Sequence, residues 1–183
     1  MNTENDDALF EVSVESHVAE APDFVYSVVS DLPRCHEWSE ECTGGEWIHG
    51  APGTVGSVFR GHNFRRAEVV AWAPVVRGVW TTTAEVTTAE PDHRFSWAMR
   101  TSTGRAQDSV WGFTLRSDDG GTRLTHHFRM GTATEGIRGI TAEMSTDEKK
   151  RFFEEWGAKV EADMAATVAR LKKVIESSRT NTP

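Results

Sequence analysis

A chain of 183 residues, 38% of them hydrophobic, is the size of one domain with its own core. Its formal net charge of −8 argues against a phosphate-tracking surface, because nucleic-acid binding is driven by Lys and Arg displacing counterions; no nucleic-acid partner is expected. No apolar stretch approaches the roughly 20 residues that span a bilayer, and Met1 to Ala8 is polar and acidic rather than a basic, then apolar leader, so a cytoplasmic protein without a membrane span is expected.

Phe10, Val12, Val14, Ser16 and Val18 alternate with polar residues, the period-2 pattern of a half-buried first strand. Pro22 suits a first helical turn, and Phe24, Val25, Val28 and Val29 recur at helical spacing until Pro33 ends that helix and opens a shorter one reaching Trp38. Cys35 and Cys42 flank the end of this segment. Two cysteines are too few for a secreted disulfide scaffold, so reduced thiols are expected. A metal reading would recruit Cys35, His36, Cys42 and His49, whose spacings fit none of the usual zinc patterns.

Strands are expected over Glu46 to His49 and, after the Pro52-Gly53 turn, over Thr54 to His62. If Phe59 points inward, Arg60 and His62 face solvent; a register slip of one would make them polar anchors of a site. Asn63 to Gly78 then forms a partly apolar insert containing Trp72. From Val79 to Ala89 the chain is rich in Thr, Val and Trp, with Trp80, Thr82, Ala84 and Val86 on one face. Phe95, Trp97 and Met99 alternate next, then Trp111, Phe113 and Leu115, then Leu124, His126, Phe128 and Met130, with a hairpin turn at Asp118 to Gly121. Seven mostly antiparallel strands are implied.

Gly131 to Met144 reads as a glycine-rich connection and, like the insert, is a candidate lid. The last helix opens at Ser145, which can form a reciprocal capping box with Glu148. Phe153, Trp156, Val160, Met164, Val168, Leu171 and Ile175 mark its apolar face; Lys149, Lys150, Glu154, Lys159, Glu161 and Asp163 mark its wet side. The expected organisation is a disordered tail over 1–8, a single domain over 9–176, and a disordered tail over 177–183.

These residues resemble the SRPBCC superfamily, also called START-like or birch-pollen-allergen-like, and within it the polyketide cyclase/dehydrase-like group. The resemblance runs from Phe10 to Ile175. It is carried by Ala21-Pro22 with Phe24 and Val25, the string SDLPRCHEWS ending at Ser39, GTVGSVFRGHN from Gly53, WTTTAEVTTAEPDHRFSW from Trp80, and GGTRLTHHF from Gly120. It implies an α+β helix-grip fold, with a curved seven-stranded antiparallel sheet around the long C-terminal helix and two short helices after strand one. It also implies a cavity for a hydrophobic or aromatic small molecule. These positions specify fold rather than reaction.

Seven Trp in one domain is heavy usage. Trp80, Trp97 and Trp111 share faces with core aliphatics and can line a pocket for a planar ligand by stacking, or simply fill the core. Phe59, Phe113, Phe128, Phe153 and Trp156 complete the expected apolar lining, while Thr82 and Asn63 could bond a ligand carbonyl or phenol. His126 is the candidate catalytic residue, able to shuttle a proton during an aldol closure or dehydration, against the alternative of a buried neutral imidazole. No phosphate cradle, metal triad or nucleophile elbow is present in the sequence, so no cofactor or metal is implied. Three functions follow: a polyketide cyclase or dehydratase, a non-catalytic carrier or self-resistance protein, and an interaction module docking through the insert. A monomer or homodimer is compatible with all three.

Overall fold

The computed structural model describes residues 8–178. Seven strands form one antiparallel sheet in the order β1-β7-β6-β5-β4-β3-β2. They are β1 (Phe10–Val18), β2 (Cys42–His49), β3 (Val58–Arg65), β4 (Gly78–Glu90), β5 (Arg94–Arg100), β6 (Ala106–Asp118) and β7 (Gly121–Met130). Every pairing except β1 with β7 joins sequence neighbours through a hairpin or loop. Helix α1 (Pro22–Val29) and a 3-10 turn (Leu32–Glu37) follow β1, α2 (Glu135–Thr141) follows β7, and α3 (Thr146–Ser178) lies across the sheet. The helix-grip α+β architecture is therefore present. Among the described residues no helix is long and apolar enough to cross a membrane.

The period-2 pattern becomes a set of cross-strand rows on the inner face. One row runs Val86, Trp97, Trp111, Phe128 and Val12; the next runs Ala89, Phe95, Phe113, His126 and Val14. Side chains directly opposite each other on one face are the unit of sheet stabilisation. Trp111 stacks on Phe128 at 4.0 Å between ring centroids, and Phe113 stacks on His126 at 4.3 Å.

Several boundaries differ from the sequence reading. β2 begins at Cys42, four residues before the expected Glu46, because Gly44 and Gly45 lie in the strand: a Cβ on Gly45 would collide with the Arg60 carbonyl and the Phe59 ring. Two glycines carry no strand signature, so this stretch reads as loop. β3 begins at Val58 and runs to Arg65, so Asn63 to Arg65 are strand and only residues 66–77 form the loop. That loop folds back on its own chain. Trp72 packs edge-on against Phe152, its Nε1 donates to Glu155 at 2.7 Å, and the Arg151 guanidinium lies over its ring. The connection after β7 contains α2, whose first turn is capped by Thr134 Oγ1 accepting from Ile137 N at 3.3 Å.

α3 opens with the expected capping box: Ser145 N donates to Glu148 Oε2 at 2.8 Å and Glu148 N to Ser145 Oγ at 3.3 Å. Phe152 rather than Phe153 is its fully buried ring, because Phe152, Trp156, Val160, Met164 and Val168 recur every four residues while Phe153 lies about 100° away around the axis, half-buried at the edge of the same cluster. Gly157 lets the helix approach β1, since a Cβ there would stand 2.6 Å from the Phe10 ring. The helix continues to Ser178, so Ser177 and Ser178 belong to it. The expected tails at Met1 to Asp7 and at 179–183 lie outside the described residues.

The cysteines are a second correction. Cys35 and Cys42 form a disulfide, with Cα atoms 5.9 Å apart, joining the 3-10 turn to the start of β2. The reduced-thiol reading rested on compartment and cysteine count; it could not see that the turn brings the two residues within bridging distance. His36 and His49 are exposed, and among the described residues no group of three His, Cys, Asp or Glu is placed to hold a metal.

Candidate functional site: a cavity between sheet and helix

A cavity of about 650 Å³ lies between the inner face of β3 to β7 and the N-terminal half of α3. Phe59, Asn63, Trp80, Thr82, Trp97, Trp111, Phe128, Trp156 and His126 all contribute to its wall. Phe113 and Phe153 do not. Phe113 is fully buried beneath the wall, with Trp97 and His126 on its cavity side and Trp38 packed edge-on against it at 5.8 Å. Phe153 lies on the flank of α3 against Phe152. Arg60 and His62 project from the outer face of β3 and meet Glu46 there, at 3.3 Å and 3.5 Å.

His126 is only 4% exposed. Its Nδ1 lies 2.9 Å from the Gly112 carbonyl oxygen; since a carbonyl can only accept, Nδ1 carries the proton. Burial lowers its pKa to about 4, with His127 adding to the effect and the Gly112 bond opposing it, so the ring is neutral at ordinary pH. Thr82 and Asn63 satisfy one another in part: Asn63 Nδ2 donates to Thr82 Oγ1 and to the Gly61 carbonyl, both at 3.2 Å.

One side of the wall is ionic. Arg65, 6% exposed, donates bidentately to Glu41, with Nε to Oε1 at 2.8 Å and Nη2 to Oε2 at 2.9 Å. Lys159 Nζ bonds Glu41 Oε1 at 2.5 Å and Asp163 Oδ2 at 2.7 Å. The Arg65 guanidinium also lies 4.6 Å from the Trp80 ring centre and 5.0 Å from that of Trp156. Burial pushes the Glu41 carboxyl up, but Arg65 and Lys159 outweigh it and the pKa is lowered. Burial raises that of Asp163; Lys159 offsets this only in part, and Glu41 and Glu40 reinforce it. The two carboxyls that share Lys159 are thus shifted in opposite directions, Glu41 down and Asp163 up.

These four residues were missed in the sequence. Arg65 is legible in the inward alternation Phe59, Gly61, Asn63, but it lies beyond His62, where the sequence pattern predicts the strand to end. The expected wet side of the helix includes Lys159 and Asp163. They stand three residues after Trp156 and Val160, which turns them toward the cavity. Nothing in the sequence marks Glu41.

At another edge, Glu135 at the start of α2 accepts from Ser102 N at 2.7 Å and Ser102 Oγ at 2.8 Å, while Gln107 Oε1 accepts from Glu135 N at 2.6 Å. These bonds tie α2 to the β5–β6 hairpin beside the cavity.

No curated protein matches the chain. Among solved structures, the Polyketide_cyc-like protein Cgl2372 from Corynebacterium glutamicum is 22% identical, with 92% of each chain covered and a TM-score of 0.62. Protein SA2116 from Staphylococcus aureus, of unknown function, is 15% identical over 98% of this chain and 100% of its own, with a TM-score of 0.66. The Zhui aromatase/cyclase from Streptomyces sp. R1128 is 17% identical over 91% and 93%, with a TM-score of 0.62. At these identities the likeness is one of fold. The family described as polyketide cyclase / dehydrase and lipid transport matches residues 10–176. The chain belongs to that family, within the SRPBCC superfamily.

Proposed function

We propose that this protein binds a planar, hydrophobic aromatic molecule of polyketide type in the cavity between sheet and α3. The observation that carries the reading is the wall itself: Trp80, Trp97, Trp111 and Trp156 face about 650 Å³ of space that the chain's own side chains leave open. Indoles offer large flat surfaces for stacking, and concave apolar sites with a few polar groups are the usual form of small-molecule sites.

The catalytic form of this reading is a cyclase or dehydratase in natural-product biosynthesis; cyclase stands in the name of the Streptomyces neighbour, and cyclase and dehydrase both stand in the family description. His126 would act as base from Nε2, and Asp163, with its raised pKa, as the partner acid. The cavity would fold the substrate by orientation. The second form is a carrier or self-resistance protein that sequesters a toxic aromatic product. The pairing of Glu41, Arg65, Lys159 and Asp163 with one another favours it, since ions already bonded are less free to act on a substrate.

Titration of Trp fluorescence with planar polyketides, polyaromatic metabolites and fatty acids tests the binding. Saturable quenching by one class is expected; no response across the panel would refute the cavity as a ligand site. Mass analysis of the bound class then separates the two forms. A cyclase converts the ligand and stops when His126 is replaced by Ala, whereas a carrier returns it unchanged.

A further inference from the structure

His126 is held in a way that leaves it one specific capacity. Its ring is stacked on Phe113, with an interplanar angle of 17°, and stands beside Trp111 at 5.9 Å. The proximal nitrogen, Nδ1, spends its proton on the Gly112 carbonyl of the neighbouring strand. Orientation and tautomer are therefore both fixed. The distal nitrogen, Nε2, is left with a lone pair and no hydrogen-bond partner among the described residues, on a residue that forms part of the cavity wall. Nε2 carries no proton, so it can accept but not donate.

We propose that the cavity selects ligands presenting a hydroxyl donor, a phenol or an enol, to Nε2 of His126. This rests on the cavity being the ligand site. A ligand hydroxyl completes the histidine's hydrogen bonding. A ketone or ether oxygen at the same point sets lone pair against lone pair, and a methyl group strips Nε2 of water without replacing it. A buried acceptor left unsatisfied is costly, which makes it a discriminator between otherwise similar ligands. The orientation is built in before binding, so little freedom is lost when the bond forms.

The test uses 1-hydroxypyrene and 1-methylpyrene, near-isosteric planar probes that differ in the donor. Binding of each to the wild-type protein and to His126→Phe, which keeps a flat ring but removes the acceptor, is measured by equilibrium dialysis. The ratio of the two affinities is expected to shift toward the methyl compound by about three- to tenfold in the variant; an unchanged ratio overturns the proposal. Should the variant fail to fold, the imidazole nitrogen resonances of wild-type protein decide. The Nε2 signal of His126 is expected to move with 1-hydroxypyrene and to stay in place with 1-methylpyrene, and equal responses overturn the proposal. Binding of neither probe would instead refute the cavity as a site for planar aromatics, and this inference with it.

Discussion

The two ends of the same sheet–helix interface are built differently. At one end, Leu171 and Ile175 of α3 meet Val25, Val28 and Val29 of α1, together with Trp38, Phe113, Leu115 and Leu124, in a continuous core. At the other, Trp156, Lys159, Val160, Asp163 and Met164 of the same helix face the cavity. The difference is α1, which supplies side chains to the packed end and none to the cavity, whereas the 3-10 turn serves both, with Leu32, Cys35 and Trp38 also on the cavity wall. Adjacent inner-face rows thus take different roles: Phe113 is sealed beneath α1 and Trp38, whereas Trp97 and Trp111, one row over, reach open space. Aromatic content alone does not decide which residue serves packing and which serves a ligand; the element that covers it does.

The largest expected effect tests that division directly. Phe113→Ala removes a fully buried ring from the packed end and should cost about 3–5 kcal/mol in urea unfolding. Trp111→Ala, at the open end, should cost about 1–2 kcal/mol, because that indole faces a space already there and loses mainly its stack on Phe128. Equal costs would mean that the cavity is not open in solution.

His126 stands where the two ends meet, and its titration should be the next largest effect. The unfolded chain protonates near pH 6.5 and the folded one near 4, so between those values the unfolded state binds more protons. The contribution is therefore fully present above about pH 6.5, is lost as pH falls toward 4, and amounts to about 3 kcal/mol. Denaturation series at pH 7.5, 5.5 and 4.5 should show wild type losing more stability than His126→Phe. Parallel losses would mean that the imidazole is solvated rather than buried.

The ionic side of the cavity should be less sensitive. Glu41→Ala leaves Arg65 and Lys159 with one carboxylate fewer. Breaking a buried pair this way costs about 3–5 kcal/mol, but the Glu41 side chain keeps 20% exposure, so about 2 kcal/mol is expected. Lys172→Ala, which breaks an exposed pair with Glu176 on the same helix, should change stability by under about 1 kcal/mol. The contrast, read by thermal melting, measures how far the cavity is shielded from water.

How much of this was legible follows from periodicity. Strands β4 and β5, α1 and the start of α3 match the sequence reading closely, since alternation, Pro22 and the Ser145–Glu148 box are local signals; β6 and β7 are recognisable from Trp111 to Leu115 and from Leu124 to Met130, but β6 begins five residues earlier, at Ala106, and β7 three residues earlier, at Gly121. Nine of the eleven residues singled out for the site line the cavity, because sharing a strand face is also local. Phe113 could not be separated from Trp111 by any pattern within β6, since both point inward and only α1 distinguishes them. The ionic cluster was hidden for another reason. Glu41 and Lys159 come from distant segments and look like ordinary surface charge until the fold brings them to Arg65, whose place on the inward alternation of β3 is the one local signal.

The smallest effect concerns the loop 66–77, the part of the Asn63 to Gly78 insert, a candidate lid or docking segment by sequence, that lies outside the strands. Arg77 holds it as a hub: Nε donates to the Ala67 carbonyl at 2.9 Å, Nη1 to Val75 at 3.2 Å, and Nη2 to Val69, Val70 and Ala73 at 3.2, 2.9 and 2.9 Å. A lysine could not replace it, because a single ammonium cannot span five carbonyls arranged around a planar fork. The rest of the fold does not depend on these bonds, so Arg77→Ala should lower global stability by only about 1 kcal/mol. It should nevertheless speed chymotrypsin cleavage at Trp72 severalfold under native conditions, by raising the population of the locally opened loop. Arg77→Lys should cleave almost as fast. If cleavage is unchanged in both, the loop is held instead by Trp72 on Glu155 and Arg65 on Val76, and its fixed point is the N-terminal end of α3 and the cavity wall rather than its own arginine.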